Sequence, residues 1–99
     1  MELSVAKEDK KAIITISGRV SSNDSPALQA CIDENIAGIE ELVLDLEKMT
    51  YISSSGLRVF LQARKSMMEQ GSMKVVNVQS DVMDIFDMTG FTGFLDLES

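Results

Sequence analysis

The sequence predicts an α/β domain in which a mixed β-sheet of four to five strands is packed with about three helices. Three observations lead there. Short β-branched or wholly apolar runs alternate with stretches whose apolar residues recur every three or four positions. The first two runs are separated only by a polar turn, which makes a hairpin and one antiparallel pair. The later runs are separated by helical stretches, which makes parallel strands with helices packed against them. The 99 residues fit one domain, spanning 1–99, with a single core.

Each element has its own signal. Leu3 to Ala6 alternates, Glu8 to Lys11 is polar enough to turn, and Ala12 to Ser17 is a β-branched strand that Gly18 is expected to stop. Ser21 to Pro26 opens a helix, with Asp24 or Ser25 as cap and Pro26 in the first helical position. Leu28, Cys31, Ile32 and Ile36 form its inner face, and Gly38 ends it. Leu42-Val43-Leu44 is apolar throughout, as a strand covered on both faces is. Lys48 to Ser55 reads as a polar connection, with Tyr51 and Ile52 as apolar anchors within it. A second helix follows from Leu57 to about Gln70. Leu57, Phe60, Leu61, Met67 and Met68 are its expected inner stripe, and Gly71 its stop. Met73 to Val78 is a strand. Asp81 starts a third helix with Val82, Ile85 and Phe86 inside, which Thr89-Gly90 breaks. Phe94 to Leu97 is expected as a last edge strand.

Composition excludes several functions. Sixteen acids against nine bases give a net charge of −7, which argues against a surface built for direct nucleic-acid or anionic-membrane binding. The absence of histidine removes His-based acid–base catalysis, Ser–His–Asp chemistry and His-ligated metals. A single cysteine, Cys31, forms no internal disulfide and no Cys-pair metal site, and among apolar neighbours it reads as a small core residue. No apolar run approaches the roughly 20 residues of a membrane helix, and the first residues carry no secretory pattern. A cytoplasmic domain, a monomer without cofactor or metal, is the expectation. Met67, Met68, Met83 and Met88 lie on predicted helices and read as core filling. Asp81, Asp84 and Asp87 recur every three residues and read as a solvated acidic face.

Chemistry concentrates in Ser53-Ser54-Ser55-Gly56-Leu57-Arg58, where three hydroxyls stand at the start of an amphipathic helix. Taken alone, such serines are helix caps. The helix start also carries unpaired N–H groups and a partial positive charge, so an anion, including a phosphate on serine, is favourably placed there. Gly56 allows close approach, and Arg58 and Lys48 add positive potential. A catalytic serine lacks an activating base, and neither the Gly-x-Ser-x-Gly elbow nor the phosphate-binding loop with its lysine is present. A small enzyme or nucleotide-binding domain is therefore the weaker reading.

Leu42-Val43-Leu44-Asp45-Leu46 followed by Tyr51-Ile52-Ser53-Ser54-Ser55-Gly56-Leu57-Arg58, together with Asp84 to Phe91 and the strand end at Gly18, resembles the STAS family of bacterial anti-sigma factor antagonists. The resemblance spans almost the whole chain and implies a single STAS domain over 1–99. It implies a binding protein and not an enzyme. Its unphosphorylated form binds an anti-sigma factor that is also a serine kinase of the GHKL type, which frees a sigma factor. Phosphorylation switches it off, and a metal-dependent, PPM-type serine phosphatase resets it. On the family pattern Asp-Ser-Ser/Ala-Gly-Leu the acceptor is Ser54. Ser53 stands where the family often has Asp, and Ser21 stands at a second such position, with Asp24 three residues on. The resemblance places partner binding at Ser21, Asp24, Ser53, Ser55, Gly56 and Arg58. A STAS-type scaffold or signalling module without a phosphorylation switch is the alternative.

Overall fold

The computed structural model describes residues 1–93 and 95–99. It contains a five-stranded mixed sheet and three α-helices. Strand β1 (Glu2–Glu8) turns through Asp9 and Lys10 into β2 (Lys11–Val20), and the two pair antiparallel. A 3₁₀ turn at Ser22–Asp24 leads into α1 (Ser25–Asn35). Then come β3 (Glu41–Asp45), β4 (Met49–Ile52), α2 (Ser54–Met68), β5 (Ser72–Val76) and α3 (Ser80–Thr89). The strand order is β1-β2-β3-β5, with β3 parallel to both neighbours. The expected hairpin, mixed sheet and three helices are all present.

Ala12, Ile14 and Ile16 of β2 line up with Leu42 and Leu44 of β3 and Val75 of β5 on one face of the sheet. Each is fully buried there, together with Leu28 and Ile32 from α1 and Leu57, Phe60 and Met67 from α2. Phe86 of α3 meets Phe60 with ring centroids 6.1 Å apart, which ties α3 to α2. Asp81, Asp84 and Asp87 are exposed along α3.

Several expectations need correction. Gly18 does not stop the strand. It takes a φ of +82°, a value that glycine adopts without strain, and the register shifts between Gly18 and Arg19 as a β-bulge. Beyond the bulge β2 continues and pairs with Met49–Ile52, so the expected polar connection contains a strand. Met68 does not face inward: residues one apart on a helix lie about 100° apart, and Met67 takes the buried position while Met68 is 64% exposed. Met88 likewise is 86% exposed. Finally, the expected edge strand at 94–97 is reduced to a bridge between Leu97 and Val75, with the Glu98 N–H donating to the Val75 carbonyl at 2.8 Å; Phe94 lies outside the described residues.

Candidate functional site

The bulge and β4 together build the site. Their pairing brings Val20 beside Ile52, and the Ser53 N–H donates to the Val20 carbonyl at 2.9 Å, so the end of β2 fixes the start of α2. Ser53 is the N-cap of α2. Its backbone is extended, and its Oγ accepts from the Gly56 N–H at 3.2 Å. Its side chain is therefore turned into the protein and only 6% exposed. The Leu57 N–H closes the first turn on the Ser53 carbonyl at 3.0 Å.

The three serines thus separate. Ser53 is buried and spent on capping, Ser55 is half-buried, and Ser54, the first residue of α2, is exposed. Gly56 is buried because the first turn lies directly on β4. A Cβ there would come within 2.8 Å of Ile52 Cγ1 and 3.2 Å of Val20 Cγ1. Arg58 is exposed one turn further along α2. Replacing Ser53 with Ala is expected to cost about 1 kcal/mol, the ordinary value of a lost cap. Ser53→Asp, which keeps an acceptor, should retain most of that in urea unfolding.

Ser21 and Asp24 form a second small unit. The Asp24 carboxylate accepts from the Ser21 N–H at 2.8 Å and from the Ser21 Oγ at 2.9 Å. It does not cap α1, as the sequence had suggested it could. The backbone bond first, then the hydroxyl bond, hold the Asp24 carboxyl below the usual carboxylate range. A lowered folded pKa stabilises the fold above the unfolded value of about 3.9 and is lost as pH falls through the folded value. The stability gap between wild type and Asp24→Asn should therefore narrow below about pH 4. A gap that stays constant down to pH 2 would remove this role.

One residue not singled out from the sequence joins Tyr51 to complete the site. Arg19 follows the bulge, and its guanidinium lies 4.1 Å from the centroid of the Tyr51 ring. Arg19, Ser21, Ser22, Asn23, Tyr51 and Ser53 line one hollow. On a second side, Tyr51, Ile52, Ser54, Leu57, Ile85 and Met88 line a mainly apolar groove. Tyr51 is half-buried and belongs to both, so it is more than the core anchor its apolar ring suggested, whereas Ile52 is buried. No sequence signal marks Arg19, because its partner lies on a strand too short to read.

Among the described residues the ion pairs are Lys10–Glu40 at 3.4 Å and Lys11–Glu41 at 3.9 Å, so Arg19 and Arg58 are both without a carboxylate partner. Cys31 is half-buried on α1, away from these residues in sequence and element. Burial, reinforced by Glu34 and partly offset by Asn35, pushes its thiol up, the opposite of an activated nucleophile. None of the described helices is long and apolar enough to cross a membrane.

The geometry defines a small α/β domain with one exposed serine at a helix start, beside an apolar groove. The chain belongs to the STAS domain family, which it matches over residues 2–99. It is 33% identical over 93 residues to BtrV of Bordetella bronchiseptica, described as a candidate anti-sigma factor antagonist, covering 92% of this chain and 80% of that protein. It is 24% identical over 100 residues to the anti-sigma-B factor antagonist of Bacillus subtilis, covering 100% and 92% of the two. An anti-sigma factor antagonist from Mycobacterium paratuberculosis has the same fold, with a TM-score of 0.88 at 21% identity over 98% of this chain and 84% of that one. Proteins of this family act by binding, and the chain is a binding domain and not an enzyme.

Proposed function

We propose that this chain is an anti-sigma factor antagonist, active when unmodified and switched off by phosphorylation of Ser54. One observation carries the reading: of three adjacent serines only Ser54 is exposed, at the first position of α2 and on the wall of the apolar groove. The names of the two relatives support the general role.

In this reading the partner is an anti-sigma factor with GHKL-type serine kinase activity. It covers the groove around Tyr51, Leu57, Ile85 and Met88 and, once engaged, releases its sigma factor. The kinase then transfers the terminal phosphoryl group of ATP to the Ser54 Oγ, leaving ADP and a proton. The added charge of about −1.5 to −2 is tolerated within the domain, where α2 presents unpaired N–H groups, but not beneath a tightly packed partner. A PPM-type serine phosphatase removes it. The work takes place in the cytoplasm, by a monomer, with no direct contact to nucleic acid. Ser21, Asp24, Ser53, Ser55, Gly56 and Arg58 shape or border the contact surface.

A second reading, a STAS-type scaffold without a switch, is favoured by one feature: Ser53 and Ser21 are both engaged in local hydrogen bonds, and Asp24 is the one carboxylate they hold. Peptide mass spectrometry separates the two. After incubation with ATP and a phosphatase-inhibited lysate of the source organism, the switch reading expects one phosphate on Ser54 and none in Ser54→Ala. No phosphate, in a lysate that modifies other serines, supports the scaffold.

A further inference from the structure

Resting on the reading of Ser54 as the acceptor, we propose that Arg58 is the residue that receives the phosphate, closing an intrahelical clamp over the first turn of α2. Ser54 and Arg58 are four residues apart on one continuous helix, Ser54–Met68. That spacing puts their Cβ atoms about 5–6 Å apart on the same face, with the acidic member nearer the helix start, which is the favourable order. Both side chains are exposed, and Arg58 takes part in neither of the ion pairs found among the described residues. Arg58 is therefore free to turn back one turn.

Arg19, the cation of the adjoining hollow, is already occupied. The Arg19 guanidinium lies on the Tyr51 ring at 4.1 Å, and leaving that position would forfeit the cation–π contact. Of the side chains lining the Ser54 groove, only Tyr51 is titratable, so no carboxylate of the groove stands beside the phosphate. The acids of α3, Asp81, Asp84 and Asp87, are exposed along that helix and are absent from the groove lining. A planar guanidinium meets a phosphate through two parallel N–H···O bonds, which suits Arg58 better than a lysine would. One modification then changes two things: it adds negative charge at the groove, and it draws Arg58 away from a partner.

The test needs no kinase. The chain is made with phosphoserine installed at position 54 during translation, and its phosphorus resonance is titrated. A cation beside the dianion lowers the second phosphate pKa below its ordinary value of about 6. The expected result is a lowered value in wild type and a rise of roughly half a unit in Arg58→Gln, with the remaining shift due to the helix start. Arg58→Lys should recover part of the shift, and Arg19→Gln should leave the titration where it is. Equal values in wild type and Arg58→Gln, or a shift that follows Arg19 instead, would overturn the proposal. Because the phosphate is installed without an enzyme, such a failure leaves the kinase reading of Ser54 untouched. Conversely, absence of kinase phosphorylation in a lysate leaves this titration readable.

Discussion

Ser54→Asp is expected to weaken binding of the anti-sigma factor about 100-fold while leaving the fold intact or slightly more stable. The two effects have one cause seen from two sides. Within the domain, position 54 is the first residue of α2, where a negative charge faces the unpaired N–H groups of the helix start and is favourable by a few tenths of a kcal/mol to about 1 kcal/mol. Under a partner that covers the groove of Tyr51, Leu57, Ile85 and Met88, the same charge loses its water. An unpaired, desolvated charge at an interface costs several kcal/mol, and about 3 kcal/mol corresponds to roughly 100-fold in affinity. Ser54→Ala carries no charge and should bind within about threefold of wild type. Calorimetric titration of the purified partner, with urea unfolding of each variant, reads both quantities. Weakened binding with unchanged stability supports the account. Unchanged affinity in Ser54→Asp contradicts it.

The largest expected effect on stability lies far from Ser54. Gly71→Ala should cost about 3 kcal/mol, the upper end of ordinary overpacking. A Cβ at Gly71 would stand 1.9 Å from the Glu40 carbonyl oxygen and 2.6 Å from its carbon. The obstacle is backbone and has little room to give. The Gly71 N–H donates to the Met67 carbonyl at 2.6 Å, and the Ser72 N–H donates to the Glu40 carbonyl at 2.9 Å. The turn from α2 into β5 is thereby pressed onto the entry of β3, and a shift would break the first bonds of the β3–β5 pairing. For a domain of this size the loss corresponds to roughly 12–24 °C in melting temperature. Gly93→Ala, where a Cβ meets nothing within 4 Å, should change stability by less than about 0.5 kcal/mol. A Gly71→Ala variant that melts with wild type would show that this turn can relax.

Gly71 also shows how a sequence can locate a residue and miss its reason. It reads as a helix stop, and α2 does end beside it, but its backbone is packed against a strand entry 31 residues earlier. That contact is tertiary and leaves no local signal. Helix faces were legible wherever spacing was unambiguous: Leu28 with Ile32, Leu57 with Phe60, and Val82 with Phe86 are all buried as their spacing requires. Adjacent Met67 and Met68 could not both face inward, and spacing alone did not choose between them. The start of α2 was legible to within a turn, expected at Leu57 and found at Ser54, because capping serines and an apolar stripe are local features. Strand β4 was not, because four residues containing Thr50 carry too little alternation, and its pairing depends on the bulge at Gly18. Arg19 was lost with it, since its contact with Tyr51 exists only once β4 is paired. The separate roles of Ser53 and Ser54 rest on one hydrogen bond to Gly56, which the composition of the loop does not specify.

The central claim is a switched release of a sigma factor, and displacement tests it most directly. A preformed complex of the cognate anti-sigma factor with its fluorescently labelled sigma factor is titrated with this chain, once unmodified and once carrying phosphoserine at position 54. The account predicts that the unmodified chain frees the sigma factor in a saturable way. The phosphorylated chain should need at least about 100-fold more protein to do the same. Equal displacement by the two forms would contradict the switch, and displacement by neither would contradict the antagonist role itself.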